Sequence, residues 1–585
     1  MATEDSSTQA SAQAASGDGV GAATVAGPDQ QDFFGHPRGL STLFLTEFWE
    51  RFSYYGMRAL LVLFMTAGAT AANPGLGFDT GKASAVYGLY TFFVYVLSLP
   101  GGWVADNIWG QRKAVFVGGV IIATGHLTMA LPMFGLPDVA FFYLGLAFIV
   151  VGTGFLKPNI STMVGDLYPE GGARRDAGFS IFYMGINFGA ILGPTLCSIV
   201  GEGYDWHWGF SLAGFGMIAG LMFYQWGGRY LGDAGELSLD EPQEKTDARA
   251  RTFYLVSAAV VAGVLGFGYM MNAGMVPLSL EQIAGSLGVL AVTITVIFFA
   301  YIIFFGGHTR EEQKRLGVIF WLFILAALFW SGFEQAGSSL NLFAKELTER
   351  SFGPYPLLEQ TTPLLPVLLI AVPIAYVCYR VFRRSDLWVL GKVGVGALAV
   401  LGLGFATYVS YQVVEQWTMP ASMLQNINPT FIVILAPVFG FMWTWLANRN
   451  ANPSIPVKFG LGLLGLAAGF FVLSWGAVNA SADNPVSPSW LIVTYFLHTC
   501  GELCLSPVGL SSMTKLAPED RVGQMMGIWF VAAALGNLFA GLVAGQLEVL
   551  DPSSLFWTVA MIIGGGGVVA LLAAPPVQRL MGDVK

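Results

Sequence analysis

Long apolar runs, broken at intervals by proline, glycine and short polar clusters, set the first reading of this chain. They cover 41–67, 83–105, 114–131, 139–164, 178–200 and 208–231. After a polar stretch at 232–251 they resume at 252–271, 285–306 and 318–345, and again at 362–382 and 390–412. The last five are 428–447, 457–477, 488–514, 524–547 and 555–576. A helix of about 20 residues crosses the hydrocarbon of a bilayer. The pattern therefore predicts an all-α polytopic membrane protein with about sixteen spans. Two runs fit less well. Pro363, Pro366 and Pro373 interrupt 362–382, and 390–412 is rich in glycine, so either also suits an interfacial helix.

Cations fix the orientation. Arg112 and Lys113, Arg174 and Arg175, Lys245 with Arg249 and Arg251, and Arg310 with Lys314 and Arg315 fall in alternate loops. The same side then takes Arg380, Arg383, Arg384 and Lys392, followed by Arg449 and Lys458, Lys515 and Arg521, and Arg579. The opposite side holds little beyond Lys82, Lys345 and Arg350. By the positive-inside rule both termini are expected in the cytoplasm, and 362–412 is expected to cross twice as a hairpin. Residues 1–40 read as a disordered cytoplasmic tail, with no basic and apolar leader pattern.

Composition agrees with the pattern. Charged residues make up 11% against roughly 25% in soluble domains, and mean hydropathy is +0.62. Lysine and arginine are dispersed, which argues against nucleic acid as a partner. Cys197, Cys378, Cys500 and Cys504 all sit in apolar runs and read as small buried hydrophobes rather than metal ligands. The glycines at 564–567 lie inside a span with no following lysine and serine or threonine, so close helix packing explains them better than phosphate binding. No Walker motif accompanies the spans, and no metal or cofactor is implied.

Chemistry concentrates in the first span, T-E-F-W-E-R-F-S-Y-Y-G-M-R. Glu47, Glu50, Arg51, Tyr54 and Arg58 recur every three or four residues and share one helical face. A charge at mid-bilayer costs about 2.5–3.5 kcal/mol on insertion scales, so these groups must face one another, water or protein. Two acids sharing Arg51 can exchange a proton, since drawing the arginine to one frees the other to protonate. Glu50 and Glu47 are thus expected proton carriers.

The loop G-G-W-V-A-D-N-I-W-G-Q-R-K places Gly102, Asp106, Gly110, Arg112 and Lys113 at the spacing of the major facilitator superfamily's cytoplasmic loop motif. Together with E-x-x-E-R-F-x-Y-Y-G, G-F-L-K-P-N at 154–159, F-Y-M-G-I-N-F-G at 182–189, F-E-Q-A-G-S-S at 333–339 and G-E-L-C-L-S-P-V-G-L at 501–510, the chain closely resembles the proton-dependent oligopeptide transporter family. The resemblance implies the major facilitator fold: six-helix bundles at 41–231 and 318–585, a linker with two extra helices at 232–317, and an inserted hairpin at 362–412. It also implies a symporter importing di- and tripeptides with protons across a bacterial-type inner membrane. A different small solute, such as nitrate or a drug-like or glycoside compound, or a non-transporting sensor, remains the alternative.

Residue roles follow from the same resemblance. Arg58 and Lys157 would meet the peptide carboxylate, and Glu502 the amino group. Asn187 and Asn428 would hold the peptide ends and bond, with interhelical hydrogen bonding as the alternative use of either amide. Tyr54, Tyr55 and either Tyr90 or Tyr95 would line the wall. Ser506 follows Glu502 by one turn, while Trp330 and Trp529 would shape side-chain pockets. Glu334 would pair with Lys157 across the two bundles, and protonation or peptide would release that bridge.

Overall fold

A computed structural model of the protein describes residues 33–237, 242–352, 417–518 and 521–582, with isolated positions between 396 and 404. Among the described residues the regular structure is helical apart from one short strand pair. The first half comprises α1 (Arg38–Thr66), α2 (Thr80–Val96), α3 (Ser98–Val104), α4 (Gln111–Ala130), α5 (Asp138–Asp166), α6 (Gly172–Gly201) and α7 (Trp206–Gly227). Two further helices follow, α8 (Gln243–Asn272) and α9 (Leu280–Phe305). The second half comprises α10 (Arg310–Phe333), α11 (Ser339–Glu346), α12 (Ile427–Asn448), α13 (Ile455–Ala477), α14 (Ser489–Leu516), α15 (Val522–Ala544) and α16 (Pro552–Met581).

Twelve helical segments are long and apolar enough to cross a membrane, and α1 and α7 bring the long helices among the described residues to fourteen. The remaining expected pair, 362–382 and 390–412, lies outside the described residues. Its two ends are tied together: β1 (Ser351–Phe352) pairs antiparallel with β2 (Trp417–Thr418). Both flanks also reach one carboxylate, since Lys345 and the Ala421 amide each contact Glu202.

Close helix crossings rest on glycine. On α6, a Cβ on Gly189 or Gly193 would lie 2.3 Å from the carbonyl oxygen of Phe48 or Phe52 on α1. Small residues four apart thus let two backbones touch where dispersion replaces the hydrophobic effect. Of the 564–567 glycines, Gly567 acts likewise against Leu464 and the Gly460 carbonyl of α13, and Gly566 against Leu328, while Gly565 faces open space.

The details differ from the expected spans at three places. The expected span 318–345 lies within one segment long enough to cross, Arg310–Glu346, but its helix is broken: α10 stops at Phe333, a 3-10 turn takes Glu334–Gly337, and α11 restarts at Ser339. Glycine and serine in E-Q-A-G-S-S compete poorly for helical backbone geometry, which permits the break. The second span does not end at 105 either, because α3 runs into a π-helical turn, Ala105–Trp109, that carries the loop motif. Residues 33–40, expected as the end of a tail, are docked instead. Phe33 is buried against Phe44, and His36 Nδ1 is 2.8 Å from the Tyr168 hydroxyl.

The halves meet at the end poor in lysine and arginine. There Gly88 of α2 lies against Gly541 of α15, the Gly81 amide donates to Glu548, and Asn341 Nδ2 donates to the Ala59 carbonyl at 2.9 Å. Ser422 donates to Ser198 at 2.7 Å, and Asn426 to Thr195.

Candidate functional site

The polar face of α1 turns inward. Glu47, Glu50, Arg51, Tyr54 and Arg58 are all buried. Arg51 Nε lies 3.0 Å from Glu47 and also donates to Glu50, so one guanidinium serves two carboxylates. Glu47 Oε2 and Glu50 Oε1 have no hydrogen-bond partner among the described residues. The rings of Tyr54 and Tyr55 cover Arg51 at 5.3 and 6.0 Å. A cation over a ring face gains attraction without needing a third acid.

Two turns further along, Arg58 forms an ion pair with Glu334 of the opposite half and donates to the Tyr87 hydroxyl. This differs from the expected pairing of Glu334 with Lys157. The halves touch at the cation-poor end, where Arg58 stands, whereas α5 packs mainly on α2, α3 and α4. Lys157 Nζ instead sits 3.8 Å from the centre of the Tyr95 ring. Glu47, Glu50, Arg51 and Glu334 all lie within electrostatic range of it. In this conformation the arginine, not the lysine, holds the Glu334 carboxylate.

Both tyrosines of the open pair reach the site: Tyr90 stacks on Tyr54 with ring centres 6.5 Å apart, and Tyr95 carries Lys157. From the second half, Asn428 Nδ2 donates to Glu502 at 3.1 Å and to Thr499 at 3.0 Å. Glu502 is half-buried, faces Tyr55 and Tyr183 within electrostatic range, and is followed one turn on by half-buried Ser506. Asn187 is buried and spends its amide on the Tyr183 carbonyl of its own helix. The tryptophans stand apart from these polar contacts among the described residues. Trp330 packs on Phe329, Phe333 and Gly536, and Trp529 is buried against Gly509 and Phe459.

The loop motif forms a turn closed by its arginine. Gly110 has φ +76°, and a Cβ there would meet the Leu237 nitrogen at 2.9 Å. Arg112 donates to the Ala234 carbonyl at 2.9 Å and to Glu236 at 3.0 Å. Asp106 accepts from Gln111, Lys113 rests over Trp109, and Gly102 faces Pro158.

Sequence reasoning missed Tyr87 and Glu202. Tyr87 lies three residues before Tyr90 on α2, so its spacing was the available signal. Glu202 had a subtler one: Lys345 and Arg350 are among the few cations on the cation-poor side, and such exceptions need a reason. Glu202 supplies it, with Lys345 at 2.9 Å, Arg350 at 3.7 Å, and the Ala421 and Ser422 amides at 3.1 and 3.2 Å. Burial alone would raise its pKa, but the Lys345 charge and hydrogen bond, the Ala421 amide and Arg350 together hold it below the usual carboxylate value. A depressed pKa means the contact is fully present above the ordinary carboxylate pKa and fails only as pH falls through the lower value. A spin-label pair flanking this contact, one label near Glu202 and one near Ala421, is therefore expected to report one unchanged short distance from pH 8 to pH 5. Glu202→Gln should shift the population toward longer distances by about fivefold, the scale of about 1 kcal/mol for a partly exposed pair.

Inward-facing acids and bases on a two-half helical bundle define a multi-pass membrane transporter of the major facilitator architecture. The chain belongs to the POT family, whose model matches residues 112–415 and 401–558. It is 37% identical to the peptide transporter YePEPT of Yersinia enterocolitica, covering 95% of this chain and 98% of that one. It is 33% identical to a di-/tripeptide transporter of Lactococcus lactis subsp. cremoris, covering 95% and 99%. Among solved structures it resembles peptide transporter POT in complex with sulfate, with a TM-score of 0.76, 35% identity, and 94% and 97% of the chains covered. A POT family transporter in complex with 5-aminolevulinic acid gives a TM-score of 0.76 at 30% identity, covering 94% and 98%.

Proposed function

We propose that this protein is a proton-coupled symporter that imports di- and tripeptides by alternating access across a cell inner membrane, with both termini cytoplasmic. The observation that carries the reading is the Arg58–Glu334 pair, which joins the two halves through ionisable groups. Names of relatives as peptide and di-/tripeptide transporters support the cargo class. The positive-inside distribution of lysine and arginine supports the orientation.

In this mechanism the bundles at 41–231 and 318–585 rock about a central site. A peptide presents an ammonium to Glu502 and a carboxylate to Arg58 and Lys157. That carboxylate competes with Glu334 for Arg58, so binding favours separation of the halves at the cation-poor end. Proton uptake on Glu334 weakens the same pair, and the Glu47–Arg51–Glu50 set supplies further exchangeable sites. Tyr54, Tyr55, Tyr90 and Ser506 line the site with hydroxyls, Asn187 and Asn428 hold the peptide backbone, and Trp330 and Trp529 shape side-chain pockets.

The test is uptake of labelled dialanine into proteoliposomes under an inward proton gradient. Accumulation is expected, and a protonophore should abolish it. Uptake indifferent to the protonophore removes the coupling, and absence of uptake with stabilisation by a non-peptide solute moves the cargo elsewhere.

A further inference from the structure

Two seams join the halves side by side: α2 packs along α15, and α6 along α12 and the 3-10 turn Ala421–Asn426 that leads into it. The seams are matched in chain order. With α2–α3 and α10–α11 each counted as one span, α6 is the fifth of the first half and α15 the fifth among the described spans of the second. Each runs beside the second span of the opposite half. Each also ends in an acid at the cation-poor end. Glu202 follows α6 directly, and Glu548 closes the 3-10 turn Gly545–Glu548 that continues α15. A carboxylate placed there faces the negative end of its own helix, the less favourable end of the dipole.

What offsets that placement comes from the other half. The Gly81 amide, in the first turn of α2, donates to Glu548 Oε1 at 2.6 Å, while the neighbouring Lys82 amide is capped by Asp79. A Cβ on Gly81 would lie 3.1 Å from both Glu548 oxygens, so glycine lets the carboxylate come close. On the second seam, the Ala421 and Ser422 amides open their turn and donate to Glu202 at 3.1 and 3.2 Å, and the Ser422 hydroxyl adds a bond at 3.0 Å. Both acids thus sit on the amide end of a helical segment from the opposite half, where unpaired N–H groups and the dipole favour an anion. Lys345 reinforces Glu202 at 2.9 Å.

We propose that Glu202 and Glu548 are a matched pair of carboxylate latches that hold the halves together at the cation-poor end. Each stabilises the joined state alone, because separation returns the acid to the carbonyl end of its own helix. The inference rests on the rocking of the halves proposed above. The two contacts share no residue, and the acids belong to opposite halves. They nevertheless span one boundary between two bodies, so releasing either loosens both.

The experiment measures spin-label distances on the full chain in lipid nanodiscs without peptide. One label pair flanks the Glu202–Ala421 contact, and the other flanks the Gly81–Glu548 contact. Glu548→Ala should raise the ratio of longer to shorter distances about threefold at both pairs, the scale of an exposed charge at a helix end. Glu202→Gln should raise it about fivefold at both pairs. The double variant should give the product, about fifteenfold, since separate contributions to one equilibrium add in free energy. Asp551→Asn is the matched control: that acid caps the Ser554 amide of α16 within its own half, at 2.9 Å, and its loss should move neither pair. A response confined to the labels beside the altered acid, or none at either pair, would overturn the proposal. Joint lengthening supports the latches even in a preparation that carries no dialanine, a result that counts against the transport reading alone.

Discussion

Glu334→Ala is expected to lower the unfolding temperature of the purified protein by several degrees, more than any other single carboxylate substitution on the inner face. The acid holds Arg58, and both groups are buried. Removing one member of such a pair strands the other charge, at a cost of about 3–5 kcal/mol. The Tyr87 hydroxyl remains for Arg58, but a neutral oxygen does not replace a carboxylate. The double variant Arg58→Ala/Glu334→Ala should recover much of the loss, since no uncompensated charge is left, and the difference measures the coupling. Glu334→Gln should fall between, because its amide oxygen still accepts from Arg58. Should the single and double variants unfold together at the wild-type temperature, the pair contributes nothing to joining the halves.

The architecture was readable because membrane insertion imposes few solutions. Apolar length gave the helices. The first span's acids and bases were readable for a related reason: hydrocarbon makes a stray charge costly, so five polar residues on one face had to converge. Partner choice was not readable. The resemblance gave Lys157 as the mate of Glu334, whereas the pair formed is with Arg58, and helical spacing within one span carries no information about contacts between halves. The break at Glu334–Gly337 escaped for a different reason, since apolar runs report length and not continuity. Glu202 escaped because it sits in a loop-like G-E-G-Y at a helix end, where an acid normally faces water. Its significance lay in distant sequence, at Lys345, Arg350 and 421–422.

These corrections sharpen how the two ends of the site relate. Arg58 binds Glu334 toward the cation-poor side, while Glu502 accepts from Asn428, which also donates to Thr499, within the second half. A ligand with opposite charges at its ends would engage one group that moves with the gate and another fixed to the C-terminal half. On the proposed mechanism the fixed end would set recognition and the gated end conformational coupling.

That division leads to the second large effect. Glu502→Gln is expected to weaken dipeptides bearing a free amino group about tenfold to a hundredfold, while N-acetylated dipeptides lose little. A hydrogen bond to a charged group contributes about 1.5–3 kcal/mol, and each 1.4 kcal/mol is a factor of ten in affinity. Glutamine keeps the size of the side chain and can still bond Asn428, so the local helix packing should survive. It removes only the negative charge that meets an ammonium. Competition of each peptide against labelled dialanine uptake gives the two affinities in one preparation. Because the charge is removed from the fixed end, conformational exchange driven through Arg58 should persist with peptides that lack the amino group. Equal losses for free and acetylated peptides would take Glu502 out of amino-group recognition and leave it as a structural partner of Asn428.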